Sequence, residues 1–254
     1  DHQNFRQKEP ARTIEELAWL KQRYGAQYFF FTDECFALSP TKRLCQQMIE
    51  RQLDVKWTCE MRFEKNLTRD LLASMRDAGC LKIVFGLESF NQRVMDFMKK
   101  GIKQEWVRRI ADDCVDLGIA VHCYIIVGFP TETEEEALET MNFIVENKKL
   151  HESFGFSCQP CLFDLEKEAP IMSDPAGYGI RRIMRPSAED LSLGFFYEVQ
   201  EGMTPEQAER LYQRVYERIS EVVCELPFNY SMADGLLYIA KAKEEAGRAP
   251  QPIG

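Results

Sequence analysis

From residue 13 to about residue 160 the chain alternates two hydrophobic periods. Ile14, Leu17 and Leu20 recur at helical spacing behind Thr13 and Glu16, which read as a candidate capping box, and predict a helix over 13–23. Residues 27–32 are a nearly unbroken aromatic run, the pattern of a strand buried on both faces, and the run stops at Asp33-Glu34. The unit then repeats. Helices over 40–51, 68–78, 91–100, 104–117 and 133–147 separate strands at 55–59, 82–86, 119–127 and 154–158. Gly79, Gly101 and Gly118 close three of the helices, and Glu134, Glu135 and Glu136 open the last of them where the macrodipole favours anions.

Buried apolar strands joined by helices predict a parallel sheet with right-handed crossovers, an α/β fold. The pattern fits an open doubly wound sheet and a barrel equally well. Polar residues gather where the strands end: Asp33 and Glu34, Glu60 with Arg62, Glu88 and Ser89, then Gly128-Phe129-Pro130. In either architecture that edge carries the site. After residue 160 the character changes. Pro160, Pro170, Pro175, Gly177, Gly179 and Pro186 predict an ordered loop over the strand ends, or a lid. Helices are expected over 187–200, 204–224 and 231–246. The reading divides the chain into a barrel part, 1–160, and a lid with a helical C-terminal extension, 161–254.

The net charge of −9 argues against a phosphate backbone as partner. No apolar run approaches the roughly 20 residues needed to cross a bilayer, and residues 1–8 carry no signal core. These features fit a cytoplasmic protein with no membrane partner. The nine cysteines are odd in number and irregularly spaced, unlike a disulfide framework. Cys158 and Cys161 are the one close pair, readable as small apolar residues or as a metal or redox couple. No glycine-rich phosphate loop is present.

Over residues 11–160 an ordered set of short stretches resembles the radical S-adenosylmethionine (SAM) superfamily, especially the class associated with a cobalamin-binding domain. The stretches are Phe31 to Phe36, Lys56 to Arg62, Ala78-Gly79-Cys80, Phe85 to Ser89, Lys99 to Gly101, Gly118-Ile119, and Ile125 to Thr133. The resemblance implies a partial (β/α) barrel of TIM-like type with SAM across the strand ends. It implies a 4Fe-4S cluster held by Cys-x3-Cys-x2-Cys after the first strand, and a 5′-deoxyadenosyl radical or a cobalamin-dependent methyl transfer. No three cysteines here have that spacing. Residues 1–6 resemble the stretch just after the third cluster cysteine, so the expectation is a fragment whose first strand and cluster loop are missing, and which alone is inactive.

Carried over residue by residue, the resemblance assigns Asp33 and Glu34 to the SAM ammonium, and Arg62 to its carboxylate. It assigns Glu88 and Ser89 to the ribose hydroxyls, and Ile126, Gly128 and Pro130 to the adenine. Each has an ordinary alternative: a helix N-cap, an ion pair with Glu60 or Glu64, a capped loop, a strand-to-helix turn. His122, inside a strand, reads as a hydrogen-bonded core residue rather than a ligand. The substrate is expected to be a small molecule or a peptide. Two other classes fit the residues: a cluster-free α/β barrel using Glu34 and Glu88 as acid and base, and a non-catalytic SAM-binding remnant.

Overall fold

In a computed structural model, residues 8–33, 35–153, 156–185 and 194–223 are described. Five parallel strands, in the order β1-β2-β3-β4-β5, form a half-barrel. They are β1 (Tyr28–Phe30), β2 (Lys56–Met61), β3 (Cys80–Glu88), β4 (Ala120–Val127) and β5 (Ser157–Leu162). Between them run α1 (Pro10–Tyr24, ahead of β1), α2 (Leu38–Glu50), α3 (Arg69–Asp77), α4 (Gln92–Phe97), α5 (Gln104–Asp116), α6 (Glu134–Glu146) and the single turn α7 (Lys148–His151). Spatial order follows chain order, so the barrel, not the doubly wound sheet, is the architecture.

Side-chain alternation sorts the strands into two faces. Trp57, Cys59 and Met61, with Ile83, Phe85 and Leu87, and with Val121, Cys123, Ile125 and Val127, pack into one core with the helices. The alternate residues are therefore on the concave face. Close packing at the strand starts depends on Gly79, whose φ is +96° and whose Cβ, if present, would lie 1.9 Å from the Val55 carbonyl oxygen. That approach seats Trp57, fully buried, with its indole N–H donating to the Ala78 carbonyl at 2.8 Å.

The chain after β5 corrects part of the sequence reading. Residues 163–185 are not a loop throughout. They contain β6 (Leu165–Glu166) and β7 (Ile180–Met184), separated by two turns of 3-10 helix. The helix expected over 187–200 is overturned within its described part, because Gly194–Val199 is a strand, β8. β8 pairs antiparallel with both β6 and β7. Phe195, Phe196, Tyr197 and Val199 are strand-forming residues, and pairing with Ile180–Met184 decides their conformation. The three strands cover a second small core containing Phe129, Leu165, Ile171, Ile180 and Tyr197.

Helix α8 (Pro205–Ser220) follows, opened by a Thr204–Gln207 capping box. It matches the helix expected at 204–224. Its Ala208, Leu211, Val215 and Ile219 join the barrel core, so the antiparallel sheet is an excursion between the last strand and that strand's own helix. The expected helix at 231–246, Glu34 and the start of the strand expected at 154 lie outside the described residues. No described helix is long and apolar enough to cross a membrane.

Candidate functional site at the strand C-terminal ends

The C-terminal ends of β2, β3 and β4 bring four groups of residues together. Gly86 and Glu88 break the β3–β4 register, and Glu88 adopts φ +62°. A Cβ on Gly86 would lie 2.8 Å from Glu88 Oε1, so the missing side chain is what lets the carboxylate fold back over the strand. Lys100 Nζ donates to that oxygen at 2.8 Å. Arg62, just past β2, donates from its guanidinium to the Lys100 carbonyl. Arg62, Lys100 and Glu88 are thus one linked set. The sequence reading included the Lys99–Gly101 stretch but gave Lys100 no role.

On the concave face beside this set are Glu60, Tyr124 and Cys161. Desolvation raises the Tyr124 phenol, and the charges of Glu60 and Glu88 add to it. Desolvation also raises the Cys161 thiol, again with help from Glu88. Glu60 and Glu88 thus put negative charge beside Tyr124 and Cys161, with Lys100 paired to Glu88. Cys158 pairs with Cys123 on the helix side and Cys161 with Ile126 on the concave side, so this pair points to opposite faces and is no redox couple. Among the described residues no three His, Cys, Asp or Glu could hold a metal.

Beyond β4 the chain turns sharply through Gly128, at φ +84°, whose N–H donates to Glu132 Oε2 at 2.7 Å. Pro130 and Thr131 are buried within the turn, and Thr131 adopts φ +73°. Arg93 holds the turn from the α4 side, donating to the Thr131 carbonyl at 2.9 Å and to its hydroxyl at 3.1 Å. From the opposite side Met203 N–H donates to the Glu132 carbonyl at 2.9 Å. A Cβ on Gly202 would lie 2.6 Å from the Thr131 carbonyl carbon. Burial pushes the Glu132 carboxyl up to about 8, and its second oxygen has no hydrogen-bond partner. Ile126 is half-buried on the concave face, directly before the turn.

Two of the expected residues are placed apart from this constellation. Asp33 follows β1 and lines a separate groove of about 260 Å³ with Lys8, Phe30 and Phe36. Ser89 is fully buried behind β3, where its hydroxyl meets Thr140 Oγ1 at 3.2 Å and accepts from Asn91 N–H at 3.1 Å. Thr140 Oγ1 also accepts from Phe90 N–H at 2.8 Å. Ser89 thus fixes the β3–α4 turn rather than facing the strand ends. Thr140→Val would orphan that buried N–H and is expected to cost about 1–3 kcal/mol in urea unfolding while leaving ligand binding at the strand ends unchanged.

Comparison with known proteins places these features in context. A family model, the Radical SAM superfamily, matches residues 1–144. An uncharacterized methyltransferase of Pyrococcus horikoshii is 31% identical over 134 residues, covering 52% of this chain and 29% of that protein. The anaerobic magnesium-protoporphyrin IX monomethyl ester cyclase of Rubrivivax gelatinosus is 28% identical over 141 residues, covering 54% of this chain and 25% of that protein. In fold, the chain is similar to the radical SAM methyltransferase TsrM of Kitasatospora setae, solved with cobalamin and a 4Fe-4S cluster bound. The TM-score is 0.62 at 15% identity, over 96% of this chain and 56% of TsrM. The chain thus spans about a quarter to three tenths of the two curated relatives. With a family model over more than half its length and a five-stranded half-barrel of the matching kind, the chain belongs to the radical SAM superfamily.

Proposed function

We propose that the strand ends of β2 to β4 bind SAM, and that the whole protein is a radical SAM enzyme of the methyltransferase or cyclase kind. The carrying observation is the Glu88 carboxylate, folded over Gly86 and held by Lys100 at the strand ends. A carboxylate there accepts hydrogen bonds from two vicinal ribose hydroxyls. Ile126 and the Gly128–Pro130 turn supply an apolar shelf and exposed backbone for an adenine ring. The electronegative face beside Tyr124 favours a sulfonium. Arg62 suits the methionine carboxylate. Asp33 suits the ammonium only from its own groove, and Ser89 has no part in contacting the cofactor.

Bound SAM would supply an activated methyl group or, on reduction, a radical that abstracts hydrogen. The residues present fit SAM, since the Glu88 carboxylate, the Arg62 guanidinium and the Gly128 turn, behind which Glu132 keeps an oxygen unpartnered among the described residues, lie at the strand ends where it would rest. They do not fit the family's 4Fe-4S cluster, because no cysteine set of the required spacing occurs among the nine cysteines. No step is therefore assigned to a cluster here. Cobalamin enters the proposal through likeness to TsrM alone, with no residue assigned to it. Support for the methyltransferase or cyclase kind comes from the two curated relatives, and the substrate proposed is a small molecule or a peptide.

Equilibrium dialysis with radiolabelled SAM tests the reading on the full-length protein. Glu88→Gln is expected to weaken binding about tenfold or more, the loss of hydrogen bonds to a charged acceptor. Equal affinity in the variant, or no SAM binding by the wild type, would overturn it.

A further inference from the structure

Below the SAM-facing residues, nearer the strand starts, the concave face carries a belt of polar side chains that the proposed function does not use. Thr58 on β2, Lys82 on β3, His122 on β4 and Ser157 on β5 occupy it, one from each of four adjacent strands. Thr58 is the cross-strand partner of Lys82, and His122 is the partner of Ser157. All four are at most 2% exposed.

Their hydrogen bonds form an incomplete chain. Lys82 Nζ donates to Ser157 Oγ at 3.1 Å, and Ser157 Oγ lies 2.7 Å from His122 Nδ1. With the imidazole neutral and its proton on Nε2, Ser157 donates onward to Nδ1. Among the described residues Thr58 Oγ1 has no hydrogen-bond partner. An ammonium has three donors, and one of those of Lys82 is accounted for. Burial pushes the Lys82 amine down to about 7 and the His122 imidazole down to about 3, the latter also opposed by Lys82. No carboxylate is among the groups that shift Lys82. Of the other titratable groups on this face, Glu60, Glu88, Tyr124 and Cys161 lie toward the strand ends, and Tyr28 and Lys56 lie at the starts of β1 and β2.

A buried amine without a counter-ion is expensive, and native structures rarely leave buried donors unmet. We propose that this belt is a binding site for a carboxylate carried by the substrate, with Lys82 and Thr58 as its donors and Ser157, whose one proton goes to His122, orienting the amine. This rests on the reading of the strand ends as the SAM site, since it places the substrate's acidic end on the barrel floor beneath SAM. One ammonium with a neutral imidazole balances a monoanion, so a carboxylate fits and a phosphate dianion does not. The face opens above the belt, where Gln159 is exposed and Tyr124 half-buried. The Tyr124 ring stands edge-on to His122, with centroids 4.8 Å apart, between the belt and the open part of the face. Above pH 7, where the amine is mostly neutral, binding takes up a proton from solvent onto Lys82, whereas at pH 6 the amine already carries it.

The test uses acetate as the probe, titrated into the full-length protein by calorimetry and followed by thermal unfolding. Saturable binding is expected at pH 6, weaker by about thirtyfold at pH 8.5, the ratio of charged amine for a group titrating near about 7. Lys82→Met is expected to abolish it, and Thr58→Val, which keeps the side-chain volume, to weaken it by about three- to tenfold. Acetate binding that is absent, independent of pH, or retained in Lys82→Met overturns the proposal; a belt filled only by water gives the first of these results. SAM dialysis on the same samples separates the two readings. Acetate binding without SAM binding removes the SAM site and keeps the carboxylate site, whereas SAM binding without acetate binding does the reverse.

Discussion

Gly128→Ala is expected to lower stability by about 2–5 kcal/mol and to abolish measurable SAM binding. Two costs add at this position. The backbone is held at φ +84°, where an L side chain costs about 1–2 kcal/mol. The new methyl would also lie 2.4 Å from the Ala208 Cβ on α8, an overlap that costs about 1–3 kcal/mol to relieve. The functional loss follows from what the turn does. Gly128 N–H is anchored on Glu132, and the turn is held by Arg93 on one side and Met203 on the other. A shift away from α8 moves the backbone that would face the adenine. Urea unfolding and SAM dialysis measure the two effects separately. Adding Ala208→Gly removes the overlapping methyl and should recover the part of the loss due to the clash, but not the part due to φ. A Gly128→Ala protein with wild-type stability and SAM affinity would remove the turn from the site.

The barrel was legible because its signals are local. Strands buried on both faces need continuous apolar runs, and the runs ending at Val127 and near Gly86 lie within the β4 and β3 they predict. Caps at Thr68 and Thr133 open α3 and α6 where the sequence placed them. Residues 194–199 were misread because their conformation is decided by pairing with β7, some fourteen residues away in the chain and carrying no helix- or strand-specific period of its own. Ser89 shows the same limit at the site. Its place beside Glu88 looks functional in the sequence, but the strand alternates faces and Thr140, 51 residues later, takes its hydroxyl. Lys82 was invisible for a different reason. In the sequence it is the polar start of an apolar strand, which ordinarily marks a solvent edge. Only the register with Thr58 and the hydrogen bond to Ser157 reveal an amine on the floor of a barrel.

Glu132→Gln should remove the fall in stability that a buried carboxyl imposes as pH rises from mid-acid to about 8. Burial raises the folded Glu132 from 4.5 to about 8. Below pH 4.5 both folded and unfolded chains hold the proton, so there is no penalty. Between 4.5 and 8 the unfolded chain releases it while the folded chain keeps it, and stability falls as pH rises. Lys82 acts in the other window, because its folded value is about 7 against 10.5 unfolded. Between those values the unfolded chain holds the extra proton, and stability rises with pH. Other groups titrate in the same windows, since His122, at about 3 folded against 6.5 unfolded, makes stability rise with pH through the acid part, so it is the difference between Glu132→Gln and wild type that isolates Glu132. A glutamine at 132 still accepts the Gly128 N–H but has no proton to lose. Glu132→Gln is therefore expected to be close to wild type at pH 5 and more stable by about 2–4 kcal/mol at pH 8.5, the range for replacing a buried charge with a neutral group. Urea midpoints at pH 5, 7 and 8.5 measure this. Coincident midpoints at pH 8.5 would show that the turn solvates the carboxylate after all, and that the unpartnered Glu132 oxygen finds a donor in solution.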